Sequence, residues 1–127
     1  MSPSESDVLA AAKNLVKCFG AFDKVAYFAC FAPDATFTFY NYAPSLNSRA
    51  EYESLWDEWA SNGWRVTSCT SSEQRVHMVS REVAVFTHRV DTVFAPEEPL
   101  THERETIVFV YDHEWRAVHE HLSALPA

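Results

Sequence analysis

The first part of the chain spaces its apolar residues as an amphipathic helix does. Four of them recur every three or four positions: Val8, Ala12, Leu15 and Phe19. Serine and acidic residues precede this stretch and Gly20 follows it, which predicts where the helix begins and ends. A second, shorter helix is predicted within residues 22–33, because Pro33 cannot continue a helix.

A third apolar stripe lies in residues 47–64, NSRAEYESLWDEWASNGW. Its large side chains again recur at helical spacing, and they are Tyr52, Leu55, Trp56 and Trp59. Asn47 or Ser48 is expected to cap this helix, and the Asn62-Gly63 pair is expected to end it.

Apolar and polar residues then alternate with a period of two, which is typical of strands. Strands are predicted over residues 34–42, 64–79 (as one strand or two), 82–94, 100–112 and 115–123. Three helices followed by a curved antiparallel sheet predict an α+β fold. The chain has no evident linker or repeat, so one domain is predicted over residues 1–127.

Charge and composition argue against several classes of function. The net charge is −8 and no run of lysine or arginine occurs, which disfavours a nucleic-acid partner and an anionic membrane surface. The three cysteines have no CxxC spacing, which favours a reducing compartment. No signal-peptide pattern and no apolar stretch of membrane length is visible. We therefore expect a cytoplasmic protein that needs no cofactor.

The segment EWRAVHEHLS, near the C-terminus, places a glutamate between two histidines. A two-residue hairpin turn at residues 113–114 would put His119 and His121 on one face of the sheet and Glu120 on the other. Two imidazoles on one strand face could bind a metal if further ligands were near. The nearest candidate, His88, is expected in the same row as His119 but roughly 10 Å away across two strands. We predict no metal site.

Two stretches of the sequence resemble a known family. They are FAPDATF at residues 31–37 and RETIVFVYDHEWRAVHEHLS at residues 104–123. Together with the Trp-rich third helix, they resemble the NTF2-like superfamily, and within it the SnoaL-like and ketosteroid-isomerase-like small proteins. The calcium/calmodulin-dependent kinase association domain is a related member. The resemblance implies a cone in which three N-terminal helices pack on a strongly curved, mixed or antiparallel sheet, with a pocket between them. It also implies a homodimer through the sheet.

The resemblance does not extend to the catalytic residues of ketosteroid isomerases. Their oxyanion-donating tyrosine matches a position near Leu15, and their aspartate base matches a position near Phe39. Leucine cannot donate a hydrogen bond and phenylalanine cannot abstract a proton. Steroid isomerisation by that mechanism is therefore not expected.

The ligand-pocket arginines of the association domain match Arg89, Ile107 and Leu122 by position. The resemblance thus implies that these three residues line the concave face, together with Glu105 and Glu120. A carboxyl group at position 120 in an apolar pocket would have a raised pKa and could act as a general acid or base. The structural alternative is an ion pair in which Glu120 reaches Arg89 over Ile107.

Asp91 and Glu105 are expected in the next row of the sheet, where two acids could share a proton or bind a cation. The predicted catalytic residues are Glu120, Arg89, Glu105 and Asp91. The predicted ligand-binding residues come from the helices and from the sheet, and they are Tyr27, Tyr40, Tyr52, Trp56, Trp59, Ile107 and Leu122. For the aromatic residues on helices, the alternative is an ordinary core position.

Two functions remain open at this level. The first is a small-molecule-binding protein, with acid/base catalysis of the isomerase, hydrolase or lyase type on a small organic substrate. The second is a non-catalytic association module that forms homo-oligomers through the sheet face bearing His119 and His121.

Overall fold

A computed structural model describes residues 4–97 and 100–126. The described residues form three helices and six strands, in agreement with the predicted α+β class. In chain order they are α1 (Glu5–Gly20), α2 (Lys24–Phe28), β1 (Phe31–Phe39), β2 (Tyr42–Leu46), α3 (Arg49–Ser61), β3 (Arg65–Met78), β4 (Val83–Ala95), β5 (Leu100–Asp112) and β6 (Glu114–Ala124).

The strands form one mixed sheet in the order β2-β1-β6-β5-β4-β3. Strands β1 and β6 run parallel, and the other neighbouring strands are antiparallel. Strand β1 begins at Phe31, earlier than predicted, because α2 ends at Phe28 and leaves Pro33 in the strand. The β1–β6 pairing is interrupted between Phe31 and Thr36, so Pro33 lies where a missing backbone N–H is tolerated. Strand β2 was not predicted.

The hairpin between β5 and β6 differs from the prediction in two places that offset each other. The turn consists of His113 alone, with φ 66°, and not of two residues. A bulge then leaves Val118 without a partner, because Phe109 pairs with Ala117. Beyond the bulge the register is the predicted one, so the prediction that Glu120 and its flanking histidines face opposite ways is confirmed.

The register between β4 and β5 is not the expected one. Residue Phe86, and not Arg89, pairs with Ile107, and Ile107 pairs with Glu120. Arg89 lies opposite Arg104, on the outer face of the sheet. The expected row of Arg89, Ile107 and Glu120 is therefore wrong. The even-numbered residues of β4 are the buried ones, so they form its concave side.

Aromatic side chains pack between the helices and the sheet. Tyr27 stacks on Trp56 with the ring centroids 5.4 Å apart, and Phe37 lies edge-on to Tyr52 at 4.7 Å. Burying each such ring stabilises the fold by about 2 kcal/mol. The two long helices begin at side-chain caps, as expected: Ser4 caps α1, and Ser48 accepts a hydrogen bond from the backbone of α3. No helix among the described residues is long and apolar enough to cross a membrane.

Candidate functional site

A cavity of about 620 Å³ lies between the helices and the concave face of the sheet. Seven aromatic rings line it: Phe19, Tyr27, Phe39, Tyr52, Trp59, Trp64 and Phe94. The strands contribute apolar side chains such as Val90 and Leu122, and also the carboxyl groups of Glu103, Glu105 and Glu120. The cavity is thus mostly apolar with a few convergent acids, which is the usual composition of a small-molecule site.

Two of these acids, Glu105 and Glu120, form the carboxyl pair at the floor of the cavity. Both are buried, with 8% and 3% of their surface exposed. Residue Glu105 is hydrogen-bonded through Oε1 to His88 Nε2 at 2.7 Å. The hydroxyl of Tyr27 donates to Glu120 Oε2 at 3.4 Å and lies 3.3 Å from the hydroxyl of Tyr52. The floor is therefore a continuous chain of polar groups within an apolar site.

Burial shifts the protonation of every member of this chain. It raises the pKa of Glu105 to about 7 and lowers the pKa of His88 to about 4. Burial, together with the neighbouring charge of Glu105, raises the pKa of Glu120 well above its ordinary value. Burial also raises the pKa values of Tyr27 and Tyr52, so both phenols stay protonated. The carboxyl pair consequently holds a proton near neutral pH, which suits a general acid or base.

The imidazole of His88 is fixed from its other side by strand β3. Its Nδ1 lies 2.6 Å from the hydroxyl oxygen of Ser71, and that oxygen accepts a hydrogen bond from Gln74 Nε2 at 2.9 Å. A bulge between Ser72 and Arg75 makes this possible, because it turns the strand at Glu73, whose φ is 52°. Two hydrogen bonds therefore orient His88 toward Glu105.

A third buried carboxyl group, that of Glu103, lies two residues along β5 from the carboxyl pair. Its Oε2 accepts a hydrogen bond from the Tyr40 hydroxyl at 2.7 Å, and its Oε1 accepts one from Thr101 Oγ1 at 3.1 Å. Burial raises the pKa of Glu103, and these two hydrogen bonds oppose that shift. The Tyr40 phenol has its own pKa raised to about 12 by burial and by Glu103.

The structure brings most of the predicted ligand-binding residues to the cavity. Tyr27, Tyr52, Trp59 and Leu122 line it, together with the predicted acids Glu105 and Glu120. The expected placement is wrong for Trp56 and Ile107, which lie in the core with 2% and 0% exposed. For Trp56 the core alternative is the one observed. Tyr40 is half exposed and reaches the site only through Glu103.

The other two predicted catalytic residues lie outside the cavity. Arg89 donates to Asp91 at 3.2 Å, and Asp91 also contacts His102 on the exposed outer face of the sheet. His102 and Arg89 hold the pKa of Asp91 below its ordinary value. The expected ion pair between Arg89 and Glu120, and the expected row of Asp91 with Glu105, are therefore wrong. Both errors follow from assigning Arg89 to the concave face.

Sequence reasoning missed His88 and Glu103 as members of the site. The signal for His88 was the alternation of Ala84, Phe86 and Val90, which places position 88 on their face. The same alternation places Glu103 on the face of Glu105, because the two residues are two positions apart on β5. His88 was instead expected in the row of His119, on the opposite face.

The two histidines of the C-terminal segment lie on the outer face. His119 Nδ1 is 2.8 Å from the hydroxyl of Thr36, and the rings of His119 and His121 are 6.3 Å apart. Burial and His121 lower the pKa of His119. Within the part of the chain that the structure describes, no group of three or more histidine, cysteine or acidic residues could hold a metal ion.

Solved structures with the same architecture support the assignment of the fold. A ketosteroid isomerase-like protein from Erwinia carotovora atroseptica matches with a TM-score of 0.83 and 12% identity, covering 96% of each chain. A Streptomyces avermitilis protein, proposed to be a dehydratase of the NTF2-like family, matches with a TM-score of 0.78 and 14% identity, covering 96% of each chain. A Xanthomonas campestris protein, proposed to be a calcium/calmodulin-dependent protein kinase II association domain, has a TM-score of 0.78 and 16% identity. That match covers 97% of this chain and 89% of the other.

No curated protein sequence matches the chain. At the identities of the structural matches, similarity extends to the fold and not to an activity. The sequence profile of the SnoaL-like domain family, in contrast, matches residues 8–127. The chain therefore belongs to the SnoaL-like domain family and has the NTF2-like fold.

Proposed function

We propose that this protein is a cofactor-independent enzyme that moves a proton on a small organic substrate held in the cavity. The observation that carries the proposal is the carboxyl pair, Glu105 and Glu120, buried at the floor of an otherwise apolar cavity. Acids buried without a counter-ion lower the stability of a fold, so their presence favours a chemical role.

Glu120 is the acid/base in this proposal, and Glu105 sets its protonation. Burial raises the pKa of both carboxyl groups, and the charge of Glu105 raises the pKa of Glu120 further, whereas the hydrogen bond with Glu120 opposes the shift of Glu105. The pair therefore carries a proton near neutral pH. Behind them, His88 positions Glu105 and does not line the cavity. The hydroxyl of Tyr27 donates to Glu120, and once Glu120 has taken up the substrate proton this hydroxyl is released to donate to an oxyanion that develops on the substrate.

The reaction class that fits is an isomerisation or an elimination of water, each of which begins with removal of a proton next to a carbonyl group. The Erwinia neighbour is described as ketosteroid isomerase-like, and the Streptomyces neighbour is proposed to be a dehydratase. Both descriptions support proton transfer at carbon in this fold. The tyrosine and aspartate of ketosteroid isomerases are not at their matching positions, so the acid/base here would act from strand β6.

Proton abstraction can be tested before the physiological substrate is known. A panel of aromatic and polycyclic ketones is incubated with the protein in D₂O, and deuterium incorporation next to the carbonyl is followed by mass spectrometry. At least one ketone is expected to exchange faster with the wild type. Glu120→Gln should slow that exchange by about 100-fold or more.

Two controls accompany this experiment. Glu82→Gln makes the same change on an exposed residue outside the cavity, and should leave the exchange unchanged. Glu120→Asp keeps the carboxyl group and should retain more activity than Glu120→Gln. Equal rates for the wild type and Glu120→Gln would remove Glu120 from the mechanism, and exchange by no ketone would count against proton abstraction next to a carbonyl.

A homo-oligomeric association module is the second candidate, and the outer sheet face favours it. Val83, Val85, Val108 and Val110 lie on that face and are only partly buried in the single chain. The Xanthomonas neighbour is proposed to be an association domain. Light scattering at micromolar concentration should give the mass of a dimer, and Val108→Glu should convert it to a monomer. A monomeric wild type would contradict this candidate.

A further inference from the structure

The ionisable side chains around the cavity are all of one sign. Among the described residues that line it, none is a lysine, arginine or histidine, while Glu97, Glu103, Glu105 and Glu120 all contribute. The chain as a whole has ten lysine and arginine residues, so basic side chains are excluded from the cavity although they are present elsewhere. A carboxylate or phosphate ligand would find no counter-charge here and would be repelled.

The aromatic walls favour the opposite charge on a ligand. Seven rings line the cavity, among them Trp59 and Trp64, whose centroids are 5.2 Å apart. The faces of such rings attract cations, tryptophan most strongly. A cavity that combines aromatic rings with carboxyl groups, and has no basic side chain among its described lining residues, therefore favours an ammonium group, while its volume of about 620 Å³ leaves room for an apolar body.

Glu103 is the buried carboxyl group of the cavity whose described hydrogen-bond partners are all hydroxyl groups, so a cation would supply the counter-charge that it lacks. Glu105 is engaged by His88, and Glu120 is engaged by Glu105 and Tyr27. Glu103 is 3% exposed and forms no ion pair with any described residue, yet both of its oxygens accept hydrogen bonds from hydroxyl groups. These hydrogen bonds favour the ionised form of Glu103 and fix its position. Since a buried carboxylate without a counter-ion is destabilising, a bound ammonium group would be favourable here.

From this geometry we infer that the natural ligand carries an amine, whose ammonium group binds Glu103 while its apolar body lies against the aromatic walls. This inference rests on the proposed function, since it names the class of substrate for the same cavity. Residues two apart on a strand lie roughly 7 Å from each other, so the reacting carbon at the carboxyl pair would be a few bonds from the amine.

Three probes of nearly equal shape test the charge preference by isothermal titration calorimetry at pH 7.5. They are 2-(1-naphthyl)ethylamine, 2-(1-naphthyl)ethanol and 1-naphthylacetate. The amine is expected to bind about tenfold more tightly than the alcohol, because a charge-assisted hydrogen bond replaces a neutral one. The carboxylate is expected to bind more weakly than the alcohol.

The variant Glu103→Gln should bring the affinities for the amine and the alcohol to within about threefold of each other, while the affinity for the alcohol stays near its wild-type value. Glu82→Gln, which removes one charge from an exposed position outside the cavity, should preserve the preference. Equal binding of all three probes, or no binding of the amine, would overturn the inference.

Deuterium exchange in the ketone panel reports on the proton transfer separately. An intact exchange reaction with no amine preference would therefore refute the ligand class and leave the proposed function standing. A clear amine preference with equal exchange in the wild type and Glu120→Gln would support the ligand class and refute the proposed role of Glu120.

Discussion

The buried pair of His88 and Glu105 gives two variants whose stabilities should change with pH in opposite directions. In the wild type, burial lowers the pKa of His88 from 6.5 to about 4 and raises the pKa of Glu105 from 4.5 to about 7. The two shifts are of similar size and opposite sense. The pair therefore binds nearly the same number of protons in the folded and unfolded chains, and contributes little net pH dependence.

Removal of either partner exposes the contribution of the other. Glu105 has a raised pKa in the folded protein, so its contribution to the free energy of unfolding is present at low pH and is lost as the pH rises through about 7. His88 has a lowered pKa, so its contribution is present at high pH and is lost as the pH falls toward 4. Between pH 5 and pH 7.5 each effect amounts to about 2 kcal/mol, at 1.36 kcal/mol per pKa unit.

The assay is urea denaturation of both variants at several pH values from 5 to 7.5. Relative to the wild type, His88→Gln should lose about 2 kcal/mol of unfolding free energy as the pH rises, and Glu105→Gln should gain about the same amount. His77→Gln, at an exposed position of β3, should follow the wild type. If the unfolding free energies of the two variants changed with pH in the same direction, the pKa shifts of His88 and Glu105 would not be opposed. If both variants followed the pH dependence of the wild type, both pKa shifts would be refuted.

Three further predictions concern other parts of the molecule. Phe86→Ala, at a fully buried position, should lower the free energy of unfolding by about 3–5 kcal/mol in urea denaturation, and a loss below about 1 kcal/mol would contradict the packing of β4. Asp91→Asn, in the partly exposed ion pairs of the outer face, should leave the urea midpoint of unfolding close to that of the wild type and leave naphthyl probe binding unchanged. Burial raises the pKa of the Cys69 thiol to about 12, so its alkylation at pH 8, in a variant with serine at positions 18 and 30, should be about a thousandfold slower than in urea. A rate equal to that in urea would contradict the burial.

Much of the fold followed from the sequence because periodicity reports burial directly. The long strands β4 and β5 and the two long helices were predicted within a few residues, since each has a regular apolar face. The weak points were short elements and turns. Strand β2 has only five residues and one buried side chain, Leu46, so no periodic signal marks it. The one-residue turn at His113 depends on a left-handed backbone conformation that the residue type does not predict.

The candidate site was predicted only as far as the pairing of strands allowed. Glu120 and Glu105 were placed in the cavity because their register across β5 and β6 was nearly right. The prediction misplaces Arg89 and Asp91 because the expected pairing of β4 with β5 is wrong, and the positional resemblance of Arg89 to a pocket arginine agreed with that wrong pairing. The expected partner of Ile107, Arg89, is three residues from the observed one, Phe86, and an odd shift moves every side chain to the other face. One wrong pairing therefore misplaces two predicted catalytic residues and His88.

The concave face of the sheet is divided along the strands, and that division separates stability from function. At one end Phe86, Ile107 and Phe109 are buried in the core, and at the other end the acids of β5 and β6 line the cavity. The packed end stabilises the fold enough to tolerate three buried carboxyl groups, which are unfavourable when they ionise. Substitutions at the packed end should therefore change stability with little selective effect on ligand binding. Neutralisation of Glu103 should instead change which ligand the cavity accepts, with little loss of stability because it removes a buried charge.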